Sequence, residues 1–405
     1  MKLAFRGVGA RLQGLIAGAD RESEAGAEAM GGAHQVAKVE RLRHALGADC
    51  EISARGGWPV GFVHALVRRF FLVRCHDGDS MKAAICTRLE GPDGIEIVEL
   101  EEPVAGPGEV VVRVRAVALN FLDTLITRGK YQFKPDPPFS PGAEIAGEVV
   151  ALGEGVEDLS PGQRVAGYIG WGGARELVAV KRELLVFVPD GVDDHVAAGV
   201  SVTFGTAMYG LFDRGRMQVG ERVAVLGASG GAGLAAVEVA ALGGAEVIAV
   251  ASRAEKLEIC RQHGAHHLIN YSDMDLKTGL REVTGGRGPD IIYDCVGGAH
   301  AESALRAIAW LGRFLVIGFA SGEIPKIPLN LALLKNCDIG GVFWGEAAVR
   351  QPEAHRRNIE KVFEWIVTGR MVPHTGQVHA LDGIGDAIRQ LDARTATGKL
   401  IVEIN

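Results

Sequence analysis

Residues 223–237 read VAVLGASGGAGLAAV, and the seven residues from Gly227 to Gly233 fit two motifs at once. Gly227-Ala228-Ser229-Gly230-Gly231 is a formal G-x-S-x-G, the sharp turn that presents a hydrolase nucleophile. Ala228 to Gly233 is a G-x-G-x-x-G with alanine for its first glycine, the turn that cradles a dinucleotide pyrophosphate. Both need a strand before the turn and a helix after it, so the choice falls to the surroundings.

An elbow needs an oxyanion loop upstream and an acid followed by a histidine downstream. Asp294 and His379 could supply the last two, but no HGGG-like loop precedes the turn. The cradle has more support. The apolar run Arg222–Leu226 leads straight into it, and Gly233 stands where the following helix must press on the sheet. That helix would aim its free N–H groups and dipole at a phosphate. A P-loop is excluded, because no Lys-Ser/Thr follows the glycines. A plain glycine-rich packing turn is the competing reading.

The runs Arg222–Leu226, Glu246–Ala251, His267–Asn270, 290–295, 313–318 and 338–343 are nearly all apolar and separated by helical patterns. Strands covered on both faces look like this, so the region reads as an α/β, doubly wound, six-stranded parallel sheet of the Rossmann type. After the second strand an NAD enzyme carries an acid for the ribose 2′-hydroxyl. Here Ala251-Ser252-Arg253 follows, with Lys256 one turn later. Cations and a hydroxyl suit a 2′-phosphate, so the expected cofactor is NADPH. Ordinary solvated helix charges are the alternative.

The chain of 405 residues is 47% hydrophobic and carries a net charge of -7, which favours a soluble protein of about two domains and argues against nucleic-acid binding. Its six cysteines include no C-x-x-C pair, as expected in a reducing compartment, and the location read from this is cytoplasmic. The longest weakly charged run, 223–245, is broken by Glu238, and no membrane span is expected. Residues 1–80 hold 11 Lys/Arg against 9 Asp/Glu and no clear strand alternation. They read as a poorly ordered extension, or as sequence upstream of a functional start at Met81, with 62–74 apolar and basic enough for an interfacial helix. From Met81 a mainly β segment follows, with strand-like runs at 82–87, Ile95–Glu101, Glu109–Ala118, 144–151, 164–169 and 176–180. Helical patterns at 193–212, 352–369 and 382–391 and a last strand Lys399–Glu403 complete the pattern. Residues 81–201 and 345–405 are therefore expected to form one domain and 202–344 the NADPH-binding domain.

Residues 81–405 resemble the zinc-independent NADPH:quinone oxidoreductase family of the medium-chain dehydrogenase/reductase superfamily. The stretches that carry the likeness include AVALNFLDTLITRGKYQ, PFSPGAEIAGEV, GASGGAGLAAVEVA, RFLVIGFASG, LLKNCDIGGVFWG and RTATGKLIVEI. The resemblance implies a GroES-like fold for the mainly β catalytic domain. It also implies transfer of hydride from NADPH to quinones or conjugated enones, with a 2-enoyl-thioester reductase or a low-turnover NADPH-binding protein as alternatives. Zinc-bearing relatives place a cysteine where this chain has Asn120 and a histidine where it has Ala143, so no metal is expected.

By the same resemblance Asn120 and Tyr131 are the candidate catalytic residues, with packing as the competing role for Tyr131. Some relatives carry a second tyrosine where this chain has Leu125. Asp123 and Arg128 are expected to pair. Thr206 matches a threonine near the nicotinamide, and Ser229, Gly230, Gly231, Ala232 and Gly233 form the pyrophosphate turn. Ser252, Arg253, Lys256 and Tyr271 fall around the 2′-phosphate and adenosine. Gly318, Phe319, Ala320 and Phe343 fall beside the nicotinamide, and Arg394 and Lys399 near the cofactor. The histidines 263, 266 and 267 read as surface residues. A homodimer paired through the edge strand near 338–343 is implied.

Overall fold

The computed structural model describes residues 80–396 and 398–405. The expectations for residues 1–79, a poorly ordered extension with an interfacial helix at 62–74, lie outside the described residues. Six parallel strands form one sheet in the order His267–Asn270, Glu246–Ala251, Arg222–Leu226, Ile291–Asp294, Arg313–Val316, Asp338–Gly341. The order reverses beside Arg222–Leu226, so the glycine turn that follows it opens at the switch point where α/β sheets bind ligands. Successive residues of these strands feed two apolar cores. Val223, Val225, Val247 and Ala249 face one core, while Ala224, Leu226, Ile248 and Val250 face the other. This double burial is why the strands read as continuous apolar runs.

The three later strands end sooner than their apolar runs suggest. After Asp294 the chain turns, because its carboxylate accepts the N–H groups of Val296 and Gly297 at 2.8 and 3.0 Å. Gly297 and Gly298 then take φ of +67° and +60°.

A second, seven-stranded sheet runs Thr375–Ala380, Lys399–Glu403, Glu109–Ala118, Glu144–Leu152, Arg164–Tyr168, Leu185–Phe187, with Leu177–Lys181 also pairing to Glu109–Ala118. The chain leaves this sheet through the helix Val200–Met208, builds the parallel sheet, and returns so that Lys399–Glu403 pairs antiparallel to Glu109–Ala118. Residues at opposite ends of the sequence thereby meet on one sheet. Where the two sheets approach, Val200–Met208 packs on Gly231–Leu242, and a Cβ on Gly205 would stand 2.8 Å from Trp344 Nε1. No helix among the described residues is long and apolar enough to cross a membrane.

Candidate active site

The glycine turn is built by backbone bonds. Gly227 adopts φ +73°, and the N–H groups of Gly227 and Ala228 both donate to the Val250 carbonyl, at 3.0 and 3.1 Å. The helix Gly231–Leu242 starts after Gly230 with no side-chain cap, leaving its first N–H groups for an external acceptor. Cβ atoms on Gly230 and Gly231 would meet nothing closer than 3.5 and 3.6 Å, whereas one on Gly233 would lie 2.1 Å from the Gly227 carbonyl oxygen. The cradle is thus open on its outer side and closed against its own strand. Ala232 and Ser229 are half-buried, and the Ser229 hydroxyl has no hydrogen-bond partner among the described residues, so no base activates it.

Ser252 and Arg253 follow the neighbouring strand, and Arg253 leads into the helix Ala254–Gln262, which carries Lys256 in its first turn. Neither cation has an ion-pair partner among the described residues. The Ser252 carbonyl accepts the Ser272 hydroxyl at 3.0 Å, and the Tyr271 ring packs on His300 at 4.3 Å. Gly318, Phe319 and Ala320 form a loop pinned to the end of Ile291–Asp294, with Ala320 N–H on the Cys295 carbonyl at 3.1 Å. Phe343 is half-exposed, and Arg394 is exposed in a turn with φ +56°. Thr206 is buried and donates its hydroxyl to the Val202 carbonyl one helical turn back.

Asn120 enters a buried network that ties the strands Glu144–Leu152 and Lys399–Glu403 to the helix Val200–Met208. Its Nδ2 donates to Glu144 Oε1 at 2.7 Å, and its Oδ1 accepts from Lys399 Nζ. The Lys399 ammonium also sits 2.6 Å from Glu144 Oε1, while Glu144 Oε2 accepts the Val202 N–H at 2.6 Å. Glu144 is fully buried and the Lys399 side chain is 11% exposed. The stem of Lys399 lines the same narrow cavity as Ser229, Gly230 and Gly231, but its charge is spent on Glu144 and Asn120.

Asp123 does not pair with Arg128. Its carboxylate is enclosed and accepts the N–H groups of Asn120 and Gly142 at 2.7 and 3.0 Å, while Arg128 pairs with Asp392 at 2.6 Å. Burial pushes Asp123 up to about 6, against the pull of those two N–H groups and of Lys399. The three histidines are also less free than expected. His263 meets the buried Glu238, His267 Nε2 lies 2.7 Å from Glu246, and His266 Nδ1 accepts the Val247 N–H at 3.0 Å.

An aromatic cluster lies beside this network. Tyr168 and Trp344 tilt together at 4.9 Å, Tyr131 packs on their cluster, and Phe133 bridges Tyr131 at 6.0 Å to Phe343 at 6.3 Å. Burial raises the Tyr131 phenol, with the Asp123 charge adding to it. Behind Trp344, His355 stands edge-on at 5.3 Å, and burial drives it down to about 4, so it is neutral. Glu144, Tyr168 and Trp344 adjoin the candidate residues Asn120 and Tyr131, and sequence reasoning did not single them out. The G-A-E where zinc relatives have G-H-E was the one available signal for Glu144.

Residues 106–190 match the model of the alcohol dehydrogenase GroES-like domain, and residues 231–366 that of the zinc-binding dehydrogenase. The donor set does not fit the metal in that second description. Among the described residues no group of three or more His, Cys, Asp or Glu could hold an ion, and an ammonium occupies the Asn120–Glu144 site. The chain is 38% identical over 326 residues to the quinone oxidoreductase-like protein 2 homolog of Nematostella vectensis, covering 80% of this chain and 89% of that one. The mycobacterial protein Rv1454c, solved in complex with NADPH, superposes with a TM-score of 0.74 at 28% identity, covering 80% and 99% of the two chains. A stretch amounting to 16% of a mycocerosic acid synthase-like polyketide synthase of Mycobacterium tuberculosis is 30% identical over 80% of this chain. With its parallel cofactor-type sheet, its GroES-like domain and these relatives, the chain belongs to the quinone oxidoreductase-like family of the medium-chain dehydrogenase/reductase superfamily.

Proposed function

We propose that this protein is an NADPH-dependent oxidoreductase that reduces quinones or conjugated enones without a metal. The observation that carries the reading is the cluster of aromatic faces from Tyr131, Phe133, Tyr168, Phe343 and Trp344, which abuts the helix that packs on the glycine cradle. Flat conjugated acceptors match such walls, and they need little electrophilic help, because the charge they gain is delocalised. Bound NADPH would supply the hydride. Gly230, Gly231 and Gly233 would hold its pyrophosphate, and Arg253 and Lys256, both without an ion-pair partner among the described residues, its 2′-phosphate.

The test is cofactor oxidation against benzoquinones, naphthoquinones, small enones and enoyl-CoA esters, with NADPH and with NADH. The expected result is turnover of a quinone or enone with NADPH preferred. The R253A/K256A double variant should weaken NADPH binding by about 10- to 100-fold, for loss of charge-assisted contacts, and leave NADH unaffected. Absence of turnover with every acceptor would remove the enzyme reading. Turnover restricted to the thioesters would favour the second one, which the likeness to a polyketide synthase segment keeps open.

A cytoplasmic homodimer belongs to the same proposal. Cys86, Cys260, Cys295 and Cys337 are unpaired, in keeping with a reducing compartment. Among the described residues the outer strand Asp338–Gly341 leaves one sheet edge open, with Leu329, Leu333 and Leu334 at 78%, 79% and 66% exposure nearby. An apolar patch beside an open edge fits a second copy of this chain. Light scattering should give a dimer mass, and L333D/L334D a monomer. A monomeric wild-type protein would discard this part.

A further inference from the structure

Tyr168 ends the strand Arg164–Tyr168 directly opposite Glu144 in the neighbouring strand, so the two side chains share a face of the sheet. Its ring is held against Trp344 at 4.9 Å and 57°. Its hydroxyl has no hydrogen-bond partner among the described residues and is not one of the sealed polar atoms. Gly345 leaves the space beside that hydroxyl clear, since a Cβ there would come within 3.3 Å of the Tyr168 Oη. Tyr131, Asp123 and Glu144 lie close enough for their charges to act on it. An unsatisfied phenol held against an aromatic cluster, flanked by a second tyrosine, is a donor awaiting an acceptor.

We propose that the Tyr168 hydroxyl donates to the carbonyl oxygen of an acceptor bound against this aromatic cluster and protonates it as that oxygen becomes negative. This rests on the reductase reading above. Bound NADPH would supply the electron pair as hydride. The Tyr168 O–H bond breaks, an O–H bond forms on the acceptor oxygen, and water returns a proton to the phenolate. Burial first, and then the charges of Tyr131, Asp123 and Glu144, raise the Tyr168 phenol, which keeps it protonated and able to donate at neutral pH.

The probe is 4-nitrophenolate, an aromatic oxyanion whose visible absorbance reports binding without turnover. Tyr168→Phe keeps the ring on Trp344 and should weaken the probe by about 10- to 100-fold, the loss of one hydrogen bond to a charged oxygen. It should also lower kcat for the acceptor by about 100-fold or more, with NADPH affinity unchanged. Gly345→Ala adds a methyl beside the hydroxyl in a helical position, where alanine is favoured, and should weaken the probe without loss of folding. Unchanged probe affinity in both variants overturns the assignment, as does equal weakening of NADPH and probe, which would indicate a general loss of structure. If the wild type reduces no acceptor yet both variants lose the probe, the reductase reading fails and the Tyr168 oxyanion contact stands.

Discussion

Lys399→Met is expected to destabilise the protein by about 3–5 kcal/mol, measured from urea unfolding, because it strands a buried carboxylate. Glu144 is fully buried, and Lys399 supplies the only cation paired with it among the described residues, at 2.6 Å. After the substitution Glu144 keeps the amide of Asn120 and the N–H of Val202, two dipoles in place of a charge. Glu144→Gln should be costly for the converse reason. In the double variant no charge is left uncompensated, so most of the stability should return, since well-packed neutral replacements of buried pairs are often tolerated. Single variants as stable as the wild type would show that the pair does not hold strand, helix and C-terminal strand together. The double variant should still turn over slowly, because the Lys399 ammonium also holds the amide oxygen of Asn120, and with it the direction in which that amide presents its N–H.

The second large effect concerns the glycine turn, where neighbouring positions should fail in opposite ways. Gly233→Ala drives a methyl to 2.1 Å from the Gly227 carbonyl oxygen and 2.8 Å from the Ala228 Cα, and backbone cannot step aside cheaply. A loss of about 1–3 kcal/mol or more is expected, together with cofactor binding. Gly230→Ala meets only the Gly227 oxygen at 3.5 Å, and Gly231→Ala only a Thr203 methyl at 3.6 Å. Both should fold with near-normal unfolding midpoints and yet bind NADPH at least about tenfold more weakly, because the methyl occupies the face a pyrophosphate must approach. Calorimetric titration beside urea unfolding separates the two outcomes. Equal destabilisation at all three positions would mean that the outer face of the turn is not a ligand cradle.

The cofactor-type half of the fold was legible because its signals are local. Strand, glycine turn and helix sit within some twenty residues, and double burial makes the parallel strands apolar at every position. Arg222–Leu226, Glu246–Ala251 and His267–Asn270 come out with the same bounds in sequence and structure. Leu185–Phe187 and Thr375–Ala380 did not, since the first is three residues long and the second is polar and mostly half-exposed. Neither carries an alternation to read.

For the candidate site the division is sharper. The residue types for a dinucleotide cradle and a free basic pair were visible in the sequence, as was the absence of zinc ligands at positions 120 and 143. The partners were not. Lys399 and Glu144 are 255 residues apart and meet only because the last strand returns to Glu109–Ala118 and its neighbour. Asp123 and Arg128 have opposite charges five residues apart, yet the short helix Phe121–Ile126 turns one inward to backbone N–H groups and the other outward to Asp392. Tyr168 was an ordinary strand aromatic until register set it opposite Glu144 and against Trp344. Sequence by itself determined which chemistry the chain could attempt, because motifs are short-range patterns of residue type. Tertiary structure alone decided which charges are neutralised and which hydroxyl is left free, because burial and pairing depend on contacts between segments far apart in the chain.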